Sequence, residues 1–332
     1  MMKKFKVCAS LIAALSLSFC GAAINSAAWA KEAKAPEWPA EKEVSTQLSA
    51  GMLSGAYIDA GPGAPIVIIV PGSGPTDRDG NNGAFVSNAL KFLAADLARQ
   101  SISSIRVDKR GMFSSASAGN PNNVRVDVYG EDYRKWAETA IRLSGQDCAF
   151  LLGHSEGGIM VSAAALGQKN ICGIITVAAP GFKLGDVLWS QLKSNPANRR
   201  LLKPAKRAIT ALEAGERVDV SHMHSALQKL FNPQVQDYLI SLFAVDPAQI
   251  LAATDVPKLV IQGEHDVQVS KADAQRLAQA SGAKLVLVPK MNHVLKTAPK
   301  RRSANIKAYT SPNIPIDSRV SEAAAAFVHD NK

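Results

Sequence analysis

Short runs of aliphatic and β-branched residues recur along this chain, and they alternate with segments whose apolar residues repeat every three to four positions. The clearest run, Ile-Val-Ile-Ile-Val at residues 66–70, has no polar residue that would face water. Runs of this kind are typical of strands buried on both faces of a parallel sheet. The alternation therefore predicts an α/β fold, with a mostly parallel, doubly wound sheet and helices on both faces.

The predicted strands are residues 44–48, 52–58, 65–70, 102–107, 149–152, 173–178, 258–261 and 284–288. The predicted helices between them are residues 85–99, 132–143, 159–167, 271–280 and 320–328. Residues 181–254 break the alternation, because they carry helical patterns (187–192, 205–214, 226–231 and 235–242) and no strand pattern. We expect one domain, with core segments 44–180 and 255–332 and a helical lid inserted after the sixth strand at residues 181–254.

The N-terminus has the pattern of a bacterial signal peptide. Three lysines lie among the first six residues, an apolar stretch follows at residues 7–24, and Ala-Trp-Ala at 28–30 has the small-x-small form of a cleavage site. We expect residues 1–30 to be removed after Ala30, a flexible lead-in at residues 31–43, and a periplasmic or secreted mature chain without a stable membrane span. An uncleaved anchor is the alternative, because the apolar stretch approaches the roughly 17 residues that a span requires. A lipid on Cys20 is disfavoured by the bulky Phe19 before it.

The charge of the chain does not indicate a nucleic-acid partner. The formal net charge is +10, and removal of the three leader lysines leaves +7. The basic runs at residues 199–200 and 300–302 are short, whereas a nucleic-acid surface gathers basic residues on one face among aromatic or groove-reading elements. A solvated surface explains these runs better.

The sequence G-H-S-E-G at residues 153–157 follows an apolar strand and precedes a helical pattern. That context is the one in which a G-x-S-x-G motif forms a nucleophile elbow, with the serine exposed on a sharp turn between strand and helix. Side chains at Gly153 and Gly157 would collide with neighbouring backbone in such a turn. Ser155 is therefore the candidate nucleophile; the alternative is an ordinary strand-to-helix turn.

A glycine-rich turn, P-G-S-G-P-T-D-R-D-G-N at residues 71–81, follows the central strand at 66–70. We expect the backbone N–H of Ser73, together with that of Glu156, to face a developing oxyanion. A phosphate-binding loop is the weaker alternative, because the lysine of the P-loop pattern is absent from this segment.

A serine nucleophile needs a base and an orienting acid, which follow it along the chain in the order serine, acid, histidine in this fold class. Asp266 lies three residues past Gly263, the glycine that follows the predicted strand at 258–261. His293 lies in the loop after the last strand. We therefore predict Asp266 as the acid and His293 as the general base, with Glu264 as a less favoured acid.

The chain resembles the α/β-hydrolase superfamily, and more narrowly a bacterial esterase group that carries the loop found at residues 71–81. The resemblance extends to R-x-D-x-R-G at residues 106–111 and to Asp-Pro at 246–247, and it covers roughly residues 44–328. It implies an eight-stranded α/β-hydrolase fold and hydrolysis of carboxylic esters. It also implies that no metal or organic cofactor takes part.

At the matched positions, the resemblance assigns Ser155 as nucleophile, Asp266 as acid and His293 as base, with the amides of Ser73 and Glu156 as the oxyanion hole. We expect a small-molecule ester of short to medium acyl length as the substrate. An aminopeptidase or thioesterase of the same fold, and a non-catalytic binding module on this scaffold, are the alternatives. The oligomeric state cannot be predicted from the sequence.

Several residues have two interpretations. Arg78, Asp79 and Arg110 either pair with other charges that hold the loops above the sheet or grip an acidic substrate. The apolar residues of the predicted lid either line an acyl pocket or pack its helices onto the core; they are Leu188, Trp189, Leu192, Leu227, Leu230, Phe231, Leu239, Leu242 and Phe243. His222 and His224 form H-x-H without further ligands nearby, and a metal site is not predicted there.

Two cysteines remain in the predicted mature chain. Cys148 and Cys172 each begin one of two strands that lie side by side in the fold of the superfamily. We expect a disulfide at the end of the sheet away from the catalytic residues, with two small buried thiols as the alternative.

Overall fold

The computed structural model describes residues 37–332. The predicted signal peptide, the alternative anchor and the lipid site at Cys20 lie outside the described residues. Within residues 37–332, no helix has both the length and the apolar character needed to cross a membrane.

One sheet of eight strands forms the centre of the molecule. The strands are β1 (Lys42–Leu48), β2 (Gly51–Ile58), β3 (Ile66–Val70), β4 (Ser103–Val107), β5 (Ala149–His154), β6 (Ile171–Val177), β7 (Lys258–Gly263) and β8 (Lys284–Val288). Their order is β1-β2-β4-β3-β5-β6-β7-β8, with β1 and β2 antiparallel to their neighbours and all other pairs parallel. The predicted mostly parallel, eight-stranded sheet is confirmed.

Helices cover both faces of the sheet. Those outside the long connection between β6 and β7 are α1 (Ala89–Arg99), α2 (Val126–Ser144), α3 (Gly157–Ala165), α9 (Lys271–Ser281), α10 (Arg302–Asn305) and α11 (Ser318–Asp330). Side chains of β3 alternate between the two faces, since Ile66 and Ile68 pack with α2 and α3, whereas Val67 and Ile69 pack with α1 and α11. This alternation explains why the run at residues 66–70 is apolar throughout.

The predicted helix 85–99 begins four residues later than expected, at Ala89. The side-chain oxygen of Asn81 accepts hydrogen bonds from the N–H groups of Ser87 and Asn88, at 2.9 and 2.8 Å. Asn88 has φ = 54°, which is incompatible with helix continuation. Side-chain bonding to the backbone thus overrides the apolar periodicity of residues 85–88. The helix predicted at residues 132–143 differs in the opposite direction, because it begins earlier, at Val126.

Five helices lie between β6 and β7, and we call them the helical insertion. They are α4 (Leu184–Ser194), α5 (Leu202–Glu213), α6 (Ser225–Leu230), α7 (Gln236–Phe243) and α8 (Pro247–Ala252). The sequence patterns indicated the first four but missed α8, a short helix capped by Asp246 with Pro247 at its first position. The nine apolar lid residues named above pack into or against the core around β3, β5 and β6, which favours their structural interpretation.

Cys148 and Cys172 form a disulfide with a Cα–Cα distance of 5.4 Å. It joins the amino ends of β5 and β6, the end of the sheet opposite the nucleophile elbow. The predicted pairing is therefore confirmed.

Candidate active site

Ser155 lies at the turn between β5 and α3 with φ = 54°, a left-handed conformation that is rare for serine. A Cβ atom at position 153 would lie 2.3 Å from the carbonyl oxygen of Gly157, and one at position 157 would lie 2.7 Å from that of Val70. The turn is held from both sides, because Ser155 N–H donates to Val177 at 2.9 Å and Gly158 N–H donates to the Ser155 carbonyl at 2.9 Å. The backbone thus has the strained geometry of a nucleophile elbow.

Asp266 and His293 come together at the carboxyl ends of β7 and β8. The distance between His293 Nδ1 and Asp266 Oδ2 is 2.8 Å. The other carboxylate oxygen, Oδ1, accepts from the N–H groups of Gln268 and Val269 at 2.7 and 3.0 Å. Because a carboxylate only accepts, Nδ1 of the imidazole carries a proton and Nε2 is the nitrogen left as the base in the neutral ring.

Ser155 and His293 line one cavity of about 60 Å³. Gly72 and Ser73 of the loop after β3 line the same cavity, together with Thr76, Gly80, Asn82, Phe85, His154, Gln268, Val294 and Tyr309. The structure therefore brings together three of the predicted residues around the cavity, Ser155, His293 and Ser73, and places Asp266 behind the imidazole. Glu264, the less favoured acid, instead lies 3.5 Å from Lys271.

Glu156 follows Ser155 and occupies the N-cap position of α3 without a side-chain capping bond; its amide was predicted to contribute to the oxyanion hole. Its side chain is buried and is not among the groups that line the cavity. Oε1 accepts a hydrogen bond from the Tyr238 hydroxyl of α7 at 2.6 Å. Burial raises the pKa of this carboxyl, and the nearby Lys109 opposes the shift. Sequence reasoning missed the link to Tyr238, because nothing near position 156 indicates a partner 82 residues away.

His154 supports the loop that carries the predicted base. Its Nε2 lies 2.8 Å from the carbonyl oxygen of His293, and the two ring centroids are 4.9 Å apart. Burial lowers the pKa of His154 to about 4, and the ring is therefore neutral at pH 7. Since a carbonyl accepts only, Nε2 carries the proton in this contact.

Lys109 is a second residue whose role the sequence did not reveal. Its ammonium group donates to the carbonyl oxygen of Gly72 at 2.7 Å and to that of Gly74. Burial lowers the pKa of Lys109 to about 8, against the influence of Glu156 and Asp108. Lys109 occupies a variable position within R-x-D-x-R-G, where the motif itself assigns no function.

Arg78 and Asp79 lie in the loop after β3, and Arg110 lies in the loop after β4. Each of the three pairs with an oppositely charged side chain. Arg78 donates to Asp108 at 2.7 and 2.9 Å and to Glu43 at 2.7 Å. Asp79 accepts from the buried Arg106 at 2.6 Å. Arg110 binds Asp132 of α2 through both ends of its guanidinium group. None of Arg78, Asp79 and Arg110 lines the cavity at Ser155, and the contacts favour their structural interpretation over a grip on substrate.

His224 of the H-x-H pair in the helical insertion has a structural role. His224 Nδ1 accepts from the N–H of Ala226 at 3.2 Å and caps α6. Across residues 37–332, no group of three or more histidine, cysteine, aspartate or glutamate side chains is arranged to hold a metal ion.

Comparison with known proteins gives the family. The sequence model of the family described as "Serine aminopeptidase, S33" matches residues 85–298. The chain belongs to this family. Among curated proteins, Esterase EstD of Thermotoga maritima is 25% identical over 266 residues, which cover 78% of this chain and 61% of the relative. The chain thus spans less than two thirds of that relative's length.

Solved structures share the fold at low identity. Est1E from Butyrivibrio proteoclasticus has a TM-score of 0.55 and 14% identity, over 87% of this chain and 98% of its own. The Pyrococcus furiosus esterase Pf2001 has a TM-score of 0.54 and 12% identity, over 90% and 97%. A bromoperoxidase from Bacillus anthracis has a TM-score of 0.52 and 18% identity, over 87% and 100%. Together with the sheet, these similarities establish the predicted α/β-hydrolase fold.

Proposed function

We propose that this protein is a serine hydrolase that cleaves carboxylic esters of short to medium acyl length through an acyl-enzyme on Ser155. The observation that carries the proposal is the 2.8 Å contact between Asp266 and the imidazole of His293, which lines the same cavity as Ser155. The relationship to Esterase EstD supports the reaction class.

The proposed reaction follows from the protonation states at the site. His293 Nε2 takes the proton of Ser155 Oγ as the hydroxyl attacks the ester carbonyl, and Asp266 stabilises the imidazolium that forms. The N–H groups of Ser73 and Glu156 donate to the developing oxyanion. His293 then gives the proton to the departing alcohol, and a water molecule activated by the same nitrogen releases the acid from Ser155.

The size of the cavity supports a short acyl group. Its volume of about 60 Å³ is small beside the roughly 300–1,000 Å³ of typical ligand sites. Phe85, Val294 and Tyr309 line it, which gives the acyl chain an apolar surface. A series of esters graded by acyl length should therefore show the highest kcat/KM at its short end, and a maximum at long chains would contradict this part of the proposal.

A peptidase acting on substrates with a free amine is the second candidate, and it is the activity in the family's description. One observation favours it: Gln268 lines both the cavity at Ser155 and a depression of about 290 Å³ that Asp186 and Asp273 also line. Rates on an ester and an amide of the same acyl group separate the two candidates. Cleavage of the amide that requires a free amine on the acyl group would establish the second.

Replacement of Ser155 by Ala tests the chemistry. We expect kcat for an activated ester to fall by at least about 10⁴-fold, because the nucleophile is lost while the fold remains. The wild-type chain should also be labelled at Ser155 by a fluorophosphonate probe. Undiminished turnover in the variant would refute the acyl-enzyme, and absence of both turnover and labelling in the wild type would favour a binding module instead.

We also propose export of the chain after cleavage at Ala30. The disulfide supports this location, because such bonds persist in oxidising compartments such as the periplasm. Mass spectrometry of the protein isolated from its native cells should give an N-terminus at Lys31, and an intact residue 1–30 segment would contradict cleavage.

A further inference from the structure

We propose that Lys109 is the positioning residue of the oxyanion hole: its charged ammonium group fixes the direction of the Ser73 N–H through hydrogen bonds to the loop carbonyls. The inference rests on the proposed function, since it concerns the donor that would bind the oxyanion. It goes beyond that function by assigning a role to a residue that lies outside the cavity lining.

Side chains hold the backbone carbonyls of the loop after β3. Lys109 Nζ binds the carbonyl oxygens of Gly72 and Gly74, the residues on either side of Ser73. The carbonyl oxygen of Ser73 accepts from the Thr76 hydroxyl at 2.9 Å. Three successive carbonyl groups are thus held by side chains, two of them by one lysine. The Gly74 carbonyl also accepts from the N–H of Thr76 at 2.9 Å.

The peptide group between Gly72 and Ser73 connects the bonds of Lys109 with the cavity. The carbonyl of Gly72 and the N–H of Ser73 belong to the same peptide unit, and in a trans peptide they point in opposite directions. No cis peptide bond occurs in residues 37–332. Because Lys109 holds the Gly72 oxygen on its own side, the Ser73 N–H is directed to the other side, and both Gly72 and Ser73 line the cavity that contains Ser155.

The charge of the Lys109 ammonium group also affects the Ser73 N–H. Lys109 is buried and forms no salt bridge within residues 37–332; the carboxylate of Asp108 is engaged by Arg78, and the nearby Glu156 offsets part of the cost of burying the ammonium group. An ammonium group held by carbonyl oxygens is costly to bury, and an apolar side chain would fill the site at lower cost. A charged donor also polarises the peptide group that it binds, which makes the N–H on the far side a stronger donor. The charge of Lys109 therefore acts on the N–H of Ser73 in addition to satisfying the loop carbonyls.

The molecule contains a matched control. Lys296 is also buried, donates to two backbone carbonyls, of Ser87 at 2.7 Å and Ser311 at 2.6 Å, and has a pKa that burial lowers to about 8. Its two carbonyl partners do not line the cavity at Ser155. Lys109→Met and Lys296→Met therefore remove the same kind of buried contact, one beside Ser73 and one away from it.

The experiment compares hydrolysis of an ester with that of the corresponding thionoester, in which sulfur replaces the carbonyl oxygen. An oxyanion hole built for oxygen favours the ester, and the ratio of the two kcat values therefore reports on its donors. We expect Lys109→Met to lower kcat for the ester by about 10²-fold with KM nearly unchanged, and to reduce the ester-to-thionoester ratio. Lys296→Met should leave that ratio at the wild-type value even if it lowers stability.

A second measurement applies if Lys109→Met does not fold. In the wild type, loss of the Lys109 proton above pH about 8 should reduce the ester-to-thionoester ratio. A constant ratio from pH 7 to 9.5, or a wild-type ratio and kcat in Lys109→Met, would overturn the inference. Failure of the proposed function would look different, since the wild type itself would then neither hydrolyse esters nor be labelled at Ser155.

Discussion

Strand β5 begins beside a disulfide and ends one residue before Ser155, and the two edges of the sheet differ in how they are held. At the amino edge, one covalent bond joins β5 to β6. At the carboxyl edge, the backbone is strained at Ser155 and at Ala178, with φ of 54° and 52°, and Lys109 buries a charge that donates to backbone carbonyls. The disulfide at the amino edge contributes to stability and lies away from the catalytic residues. The carboxyl edge contains features that stability alone would remove, which is typical of functional sites.

The largest expected effect is a loss of kcat caused by a substitution at the carboxyl edge. Asp266→Asn should lower kcat by about 10⁴-fold near neutral pH, because the amide no longer fixes the protonated nitrogen of His293. Stability should change far less than activity. Steady-state kinetics and a denaturant titration of the same preparation check this, and a variant that retains more than a tenth of wild-type kcat would remove Asp266 from the mechanism.

The next largest effect is a loss of stability caused by removing the disulfide at the amino edge. The double variant Cys148→Ala/Cys172→Ala opens a loop with a sequence separation of 24 and should lower the free energy of unfolding by about 3 kcal/mol. The kcat of the folded variant should stay within twofold of wild type, because the bond is at the far end of β5. Urea denaturation with and without reductant measures the first quantity. A large loss of kcat in the folded variant would show that the two edges are not independent.

The smallest effect concerns the pH dependence of stability. Lys296 has a folded-state pKa of about 8, below its ordinary value of 10.5, and between these values the unfolded chain binds more protons. The free energy of unfolding therefore gains a contribution that increases with pH in this window. Relative to Lys296→Met, the wild type should gain about 2 kcal/mol between pH 7.5 and 9.5. Parallel pH profiles of the two proteins would contradict the burial of a charged Lys296.

Most of the fold was predictable because periodicity reports burial. All eight strands lie within a few residues of the predicted segments, and the apolar run at 66–70 correctly indicated a strand buried on both faces. The errors have local causes. Asn81 stops the helical pattern of residues 85–88 by bonding to backbone N–H groups, and α8 is too short to show a clear apolar period.

The candidate site was predictable where a motif fixes the backbone. The glycines around Ser155 and the chain order of Asp266 and His293 are local signals, and the structure brings these side chains to the edge of the sheet where parallel strands end. Lys109 and Tyr238 were missed because their partners are contributed by loops distant in sequence. Nothing in a lysine between Asp108 and Arg110 indicates that its ammonium group will bind carbonyl oxygens.

The hydrogen bond between Tyr238 and Glu156 has a consequence for engineering. Glu156 Oε2 has no hydrogen-bond partner within residues 37–332, and Oε1 depends on the hydroxyl of α7. Libraries that randomise α7 to change substrate preference would strip a buried carboxyl of its remaining donor whenever position 238 loses its hydroxyl. Such libraries should hold Tyr238 constant, or diversify positions 156 and 238 as a pair.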